Sequence, residues 1–256
     1  QVVLVDVTQE ALDKALGAIG ERLARLTEKG KLSPVGMEAI LGRIEATLDL
    51  GRLAEVDLVI EAVPEVPNLK MELFGRLDRI CRPDAIFASN TSSISITRLA
   101  GATERGGRFV GMHFMNPPHL MRLVEVVKGK DTSQETLEVV KGLAERLGKV
   151  PVICNDAPGF VINRILMPMI NEAAYCLMEG VGEREAIDQI MRLGANHPMG
   201  PLELADLIGI DVCLAIMEVL HADLGEKYHP CPLLRRMAAE RKLGRKTGEG
   251  FYKYRA

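Results

Sequence analysis

One pattern constrains this chain more than any other. Up to about residue 150, short apolar runs alternate with segments of helical period, the signature of a parallel α/β sheet. Six runs read as strands: VVLVD (Val2–Asp6), LVIEAV (Leu58–Val63), AIFASN (Ala85–Asn90), RFVGMHF (Arg108–Phe114), LVEVV (Leu123–Val127) and VPVIC (Val150–Cys154). Several are apolar on both alternations, as strands covered on both faces are. Between them lie amphipathic helices over Gln9–Lys29, Leu69–Ile80 and Gln134–Leu147. In the first of these, Ala11, Leu12, Ala15, Leu16, Ile19 and Leu23 share a side.

After NDAPGF the period changes. Ile162–Met178 reads as a long helix with a stripe of Ile165, Met169, Ala173 and Cys176/Leu177. Asp156 is a fitting N-cap, with Pro158 in the first turn and Gly180 as the stop. Further helices are expected over Glu183–Leu193, Pro201–Leu220 and Pro232–Arg241. The chain is therefore read as a doubly wound, mostly parallel, Rossmann-like α/β domain over residues 1–155 and an all-α domain over 156–256.

Composition narrows the function classes. A balance of 32 basic against 35 acidic residues gives no general positive field for nucleic acid. No apolar run is long enough to span a bilayer, and the N-terminus lacks the pattern of a secretory signal. The five cysteines, Cys81, Cys154, Cys176, Cys213 and Cys231, are scattered and form no CxxC pair. Reduced core thiols in a cytoplasmic compartment fit them better than disulfides or a zinc site.

The first strand ends in Asp6. In a doubly wound dinucleotide-binding fold, an acid at the end of the second strand accepts hydrogen bonds from the adenosine ribose hydroxyls. It would repel a 2′-phosphate, and Val7, Thr8 and Gln9 supply no arginine to receive one, which favours NAD over NADP. Taken alone, Asp6 reads first as a simple strand-end acid that caps the next helix. The partner motif, G-x-G-x-x-G, occurs nowhere in the sequence and should precede this strand. We therefore expect a first strand, a phosphate turn and a helix to lie ahead of Gln1, so that the sheet of this chain is N-terminally incomplete.

Four polar residues stand in apolar, strand-adjacent surroundings. Ser92 follows a strand in SNTSSISIT, His113 ends one in GMHFMNP, Glu125 lies inside LVEVV, and Asn163 sits at the start of the second domain. A carboxylate between Val124 and Val126 is costly to bury without a partner. A histidine at a neighbouring strand end would suit it, because the pair fixes the imidazole tautomer for general-base work. In isolation each has a plainer reading: His113 a core or edge histidine, Ser92 a turn cap, Asn163 a surface residue. His119, His197, His221 and His229 show no metal-ligand spacing and are read as structural.

With these segments in order, the chain resembles the short-chain L-3-hydroxyacyl-CoA dehydrogenases, in their bacterial 3-hydroxybutyryl-CoA form. The resemblance rests on VVLVD, VIEAVPE, FASNTSSISIT, GMHFMNPPHLMRLVEVV, NDAPGFVINRI, HPMGPLELADLIGID and GRKTGEGFYKY. It implies a hydride transfer between NAD and the C3 hydroxyl of a (S)-3-hydroxyacyl-CoA. It also implies roles: His113 as general base, Glu125 as its orienting carboxylate, Ser92 against substrate and nicotinamide, and Asn163 against substrate. Asp6, Glu65, Lys70 and Lys246 match positions lining the cofactor. Lys29 matches a lysine that meets coenzyme A, and Arg22 stands where some relatives have a serine that does so. No metal is expected.

Three competing readings follow from the same residues. A 3-hydroxy acid dehydrogenase would need a catalytic lysine where this chain has Asn163. A non-catalytic structural relative or an NAD-deficient fragment would keep the fold without turnover. The helices of the second domain are richer in apolar residues than about 100 residues can bury alone. Contacts to the first domain or to a partner would cover the rest, and the family resemblance implies a homodimer through that domain.

Overall fold

The computed structural model describes residues 1–254; Arg255 and Ala256, the end of the expected helical domain, lie outside the described residues. Among the described residues, seven strands form two sheets. β1 (Val2–Val5) and β2 (Ile44–Thr47) pair in parallel, and β3 (Leu58–Glu61), β4 (Ile86–Ser89), β5 (Phe109–Phe114), β6 (Leu123–Lys128) and β7 (Val150–Asn155) form a five-stranded sheet in that order. All neighbours are parallel except β5 and β6. β1 begins at Val2, and the strand and turn expected ahead of Gln1 find no support in it.

Around the sheets run α1 (Gln9–Glu28), α2 (Pro34–Leu41), α3 (Pro67–Ile80), α4 (Ile96–Ala100) and α5 (Gln134–Arg146). Each begins where a local signal allows it. Thr8, Ser33, Ser95 and Ser133 cap α1, α2, α4 and α5 through their hydroxyls, and Pro67 opens α3. Strand alternation then sorts the five-stranded sheet into two cores. Phe87, Phe109 and Val127 meet Phe74 and Leu77 of α3, while Val110, Met112, Val124 and Val126 meet Leu137 and Val140 of α5. His113 and Glu125 have the parity of Phe109 and Val127, so they face the α3 side.

The second domain packs α6 (Ile162–Met178), α7 (Arg184–Gly194), α8 (Pro201–Ile208), α9 (Ile210–Leu224) and α10 (Pro232–Ala239) around its own core. Three expectations need correction. The helix expected over Pro201–Leu220 is two helices, because Gly209 takes φ 109°, a backbone that side chains resist. Asp156 does not cap α6, which starts six residues later. Its carboxylate instead bonds the Ser95 hydroxyl and the Ile96 and Thr97 amides at the start of α4. The apolar residues that α6 buries are Met167, Ile170, Ala173 and Ala174, so of the expected stripe Ala173 is buried while Ile165 is 68% exposed. The sequence reading also passed over β2, α2 and α4.

All five cysteines are free thiols. Among the described residues, no helix is long and apolar enough to cross a membrane.

Candidate active site

β5 and β6 build the centre of the site. Their antiparallel register sets His113 directly opposite Glu125, and opposed residues on one face lie within side-chain reach. The pair closes at 2.8 Å between His113 Nδ1 and Glu125 Oε2. Both side chains are buried, and the Phe160 ring packs 5.7 Å from the imidazole, centroid to centroid.

Glu125 also reaches the second domain. Its Oε1 accepts the Val161 and Ile162 amides at 3.2 and 3.1 Å. These are among the amides that no turn of α6 satisfies, and a carboxylate suits a helix N-terminus. One residue on, Asn163 donates Nδ2–H to the carbonyl of Ser92 at 2.9 Å. The histidine, the serine and the asparagine are thus fixed around one junction between sheet and helix.

In each of these residues, one polar group holds the position and another is left over. His113 uses Nδ1, Ser92 its backbone, and Asn163 its Nδ2. Among the described residues, no hydrogen bond engages His113 Nε2, the Ser92 hydroxyl or Asn163 Oδ1. Those three atoms can serve a ligand.

Beside Ser92 lies a carboxylate hub. Glu65 Oε1 accepts the Thr91 hydroxyl and the Ser92 and Ser93 amides at 2.6, 2.8 and 3.1 Å. Burial works against its charge, yet the Thr91 hydroxyl, the Lys70 ammonium and the Ser92 amide together hold the carboxyl below its usual range. Lys70 is itself buried, 2.6 Å from Glu61 Oε1 and 3.3 Å from Glu65 Oε2. These groups cluster at the C-terminal ends of β3 and β4, where ligands bind in open α/β sheets.

Glu61, Ser89, Thr91 and Phe160 join this cluster although the sequence reading did not single them out. Glu61 carried a usable signal, the same carboxylate within an apolar strand that marks Glu125. The other three carried none.

The remaining candidates stand apart from this cluster. Asp6 is exposed at the end of β1, with Oδ1 taken by the Val7 amide at 2.7 Å. Arg22, on α1, and Lys29, the residue that ends it, are exposed and form no ion pair among the described residues. Lys246 is held by Asp211 at 2.5 Å, and none of its bonds reaches the His113 cluster. The Cys154 thiol is pushed up to about 11 by burial, with the charges of Glu125 and Asp156 adding to it. It is therefore protonated at neutral pH and no nucleophile. Among the described residues no cluster of His, Cys, Asp or Glu could hold a metal ion.

The donor set can be tested against a dinucleotide. Asp6 and Glu65 offer carboxylate oxygens of the kind that can accept hydroxyl donors, and among the described residues no arginine or lysine pairs with Asp6 to invite a 2′-phosphate. That set fits NAD.

A Rossmann-like sheet joined to a helical domain, with a histidine–carboxylate pair at the junction, defines a two-domain NAD-binding oxidoreductase. The chain belongs to the 3-hydroxyacyl-CoA dehydrogenase family: the family's NAD binding domain matches residues 1–157 and its C-terminal domain residues 159–254. Among its relatives, a probable 3-hydroxybutyryl-CoA dehydrogenase of Deinococcus radiodurans is 59% identical, over 99% of this chain and 91% of that one. The 3-hydroxybutyryl-CoA dehydrogenase of Clostridioides difficile is 48% identical, over 99% and 90%. The crystal structure of (S)-3-hydroxybutyryl-CoA dehydrogenase from Ralstonia eutropha superposes with a TM-score of 0.96 at 47% identity. It covers 100% of this chain and 91% of that one.

Proposed function

We propose that the protein oxidises the C3 hydroxyl of (S)-3-hydroxyacyl-CoA, 3-hydroxybutyryl-CoA foremost, to the 3-ketoacyl-CoA, and runs the reverse reduction. NAD supplies the hydride acceptor when bound. The observation that carries the reading is the buried His113–Glu125 pair with Nε2 left unengaged.

His113 works as the base. With Nδ1–H donated to Glu125 Oε2, Nε2 is the lone-pair nitrogen and takes the proton from the 3-hydroxyl. Glu125 then faces an imidazolium at 2.8 Å and stabilises it. In the reverse direction the same Nε2 returns the proton to the oxygen. The Ser92 hydroxyl and Asn163 Oδ1 orient the substrate, and the burial of the pair excludes water from the transfer. Asp6 and Glu65 would hold the ribose hydroxyls of NAD, with Lys70 fixing Glu65. Lys246 would serve the cofactor from the second domain by exchanging its Asp211 partner. Arg22 on α1 and Lys29 just past its end, exposed and seven residues apart, would meet the coenzyme A phosphates.

The protein would act as a homodimer in the cytoplasm. Ile165, Ile190, Leu193 and Leu207 of the helical domain are 49–77% exposed, which supports an apolar partner face, and the five free thiols suit a reducing compartment.

The test is NADH absorbance during incubation of the protein with NAD and (S)-3-hydroxybutyryl-CoA, against His113→Asn. Oxidation by the parent chain and its loss in the variant are expected. No turnover by well-folded parent protein, or full turnover by His113→Asn, would overturn the reading.

A further inference from the structure

Among the described residues the most deeply enclosed ion pair is not at His113. It is Lys70 with Glu61, whose side chains are 1% and 0% exposed. Glu61 ends β3 in register with Ser89 of β4, and Lys70 stands in the first turns of α3. Every polar atom of the pair is used. Glu61 Oε1 accepts Lys70 Nζ and the Val63 amide, both at 2.6 Å, and Oε2 accepts the Ser89 hydroxyl at 2.6 Å. Lys70 Nζ spends its remaining donors on the Val63 carbonyl at 3.0 Å and on Glu65 Oε2 at 3.3 Å.

Stability alone does not account for such a pair. Well-packed apolar side chains of the same volume would join β3 to α3 without removing two charges from water. What an apolar pair could not do is hold Glu65. That carboxylate has one oxygen on Lys70 and the other on Thr91, Ser92 and Ser93. The chain of contacts therefore runs from the sheet, through one buried cation, to the backbone of the serine beside Asn163.

We propose that Glu61 is a positioning residue for the reaction: it fixes Lys70, Lys70 fixes Glu65, and Glu65 fixes the Ser92 segment against cofactor and substrate. The role assigned to Ser92 rests on the dehydrogenase reading above; the relay itself does not. In Glu61→Gln, Lys70 keeps a single charged acceptor. The ammonium then draws on Glu65 Oε2, and Oε1 loosens from the Ser92 and Ser93 amides.

The experiment is amide hydrogen exchange on the full chain, read at Ser92 and Ser93 without any ligand. Glu61→Gln should speed exchange there about tenfold, equivalent to about 1.4 kcal/mol, while Phe87 and Val110 in the sheet keep parent rates. Parent rates at Ser92 and Ser93 would overturn the proposal. So would acceleration spread evenly through the domain, which marks a merely structural pair. If Glu61→Gln does not fold, Ser89→Ala removes one hydroxyl bond to Glu61 and keeps both charges. It should move the same two amides by about threefold, and no movement sinks the relay. On turnover, the KM for NAD should rise about tenfold in Glu61→Gln with the acyl-CoA KM nearly unchanged, and an unchanged NAD KM would overturn the positioning role. A parent protein without turnover but with the exchange pattern intact would remove the dehydrogenase reading and leave the relay.

Discussion

His113 and Glu125 stand directly opposite one another across the antiparallel β5–β6 pair, with Nδ1 and Oε2 2.8 Å apart. The strand register sets the two side chains opposite one another on one face, within reach of this contact. Glu125→Gln should reverse the proton arrangement. The new amide donates to Nδ1, the proton moves to Nε2, and the base is lost. A fall in kcat of about 10²- to 10⁴-fold is expected, with the fold retained by circular dichroism. Retained kcat would show that Glu125 does not set the tautomer.

Asn163 ties the domains through its bond to the Ser92 carbonyl. Asn163→Ala should lower kcat/KM for the acyl-CoA by about 10- to 100-fold, or about 1.4–2.8 kcal/mol. Steady-state kinetics at saturating NAD provide the check.

Glu65 gives a pH signature. Burial raises its carboxyl, but Thr91, Lys70 and the Ser92 amide outweigh that and hold it below the ordinary value of 4.5. A depressed acid stabilises the folded state above its unfolded value and loses that contribution as pH falls through the folded value. Urea unfolding should therefore show the parent more stable than Glu65→Gln at neutral pH, with the gap closing only below about pH 4.5. A gap independent of pH would remove the charge from the account.

The segment Phe251–Tyr254 is held by a buried carboxylate. Asp206 accepts the Phe251 and Tyr252 amides at 2.9 and 2.8 Å and the Tyr254 hydroxyl at 3.0 Å. A Cβ on Gly250 would overlap Asp206 Oδ1. Gly250→Ala should cost about 2–3 kcal/mol, read as a lower midpoint in thermal unfolding, with His113 and Glu125 unaffected in the separate sheet.

Much of the architecture is legible from local period. α6 matches its expected span because Ile162–Met178 is bounded by the glycine loop before it and Gly180 after it. His113 and Glu125 are legible because charge inside apolar strands demands a partner, and strand parity puts both on one face. β2 is not legible, since Ile44–Thr47 is four residues long and becomes a strand only by pairing with β1. The face of α6 is misjudged at Ile165 for a related reason. The stripe that is buried depends on what α8 and α9 place against it, and a helix of apolar residues offers more than one.

The sequence by itself determined the two-domain order, the α/β and all-α characters, and which charged groups had to find partners. Those properties follow from the 2.0 and 3.6 residue periods and from desolvation, which act within a few residues. Only the tertiary structure decided that Asp156 caps α4, that Glu125 also holds the start of α6, and that Lys70 sits between Glu61 and Glu65. Each of these partnerships, save that of Lys70 with its near neighbours, joins residues tens of positions apart. The chain path brings them together, and even Lys70 meets both carboxylates only because α3 folds back over β3.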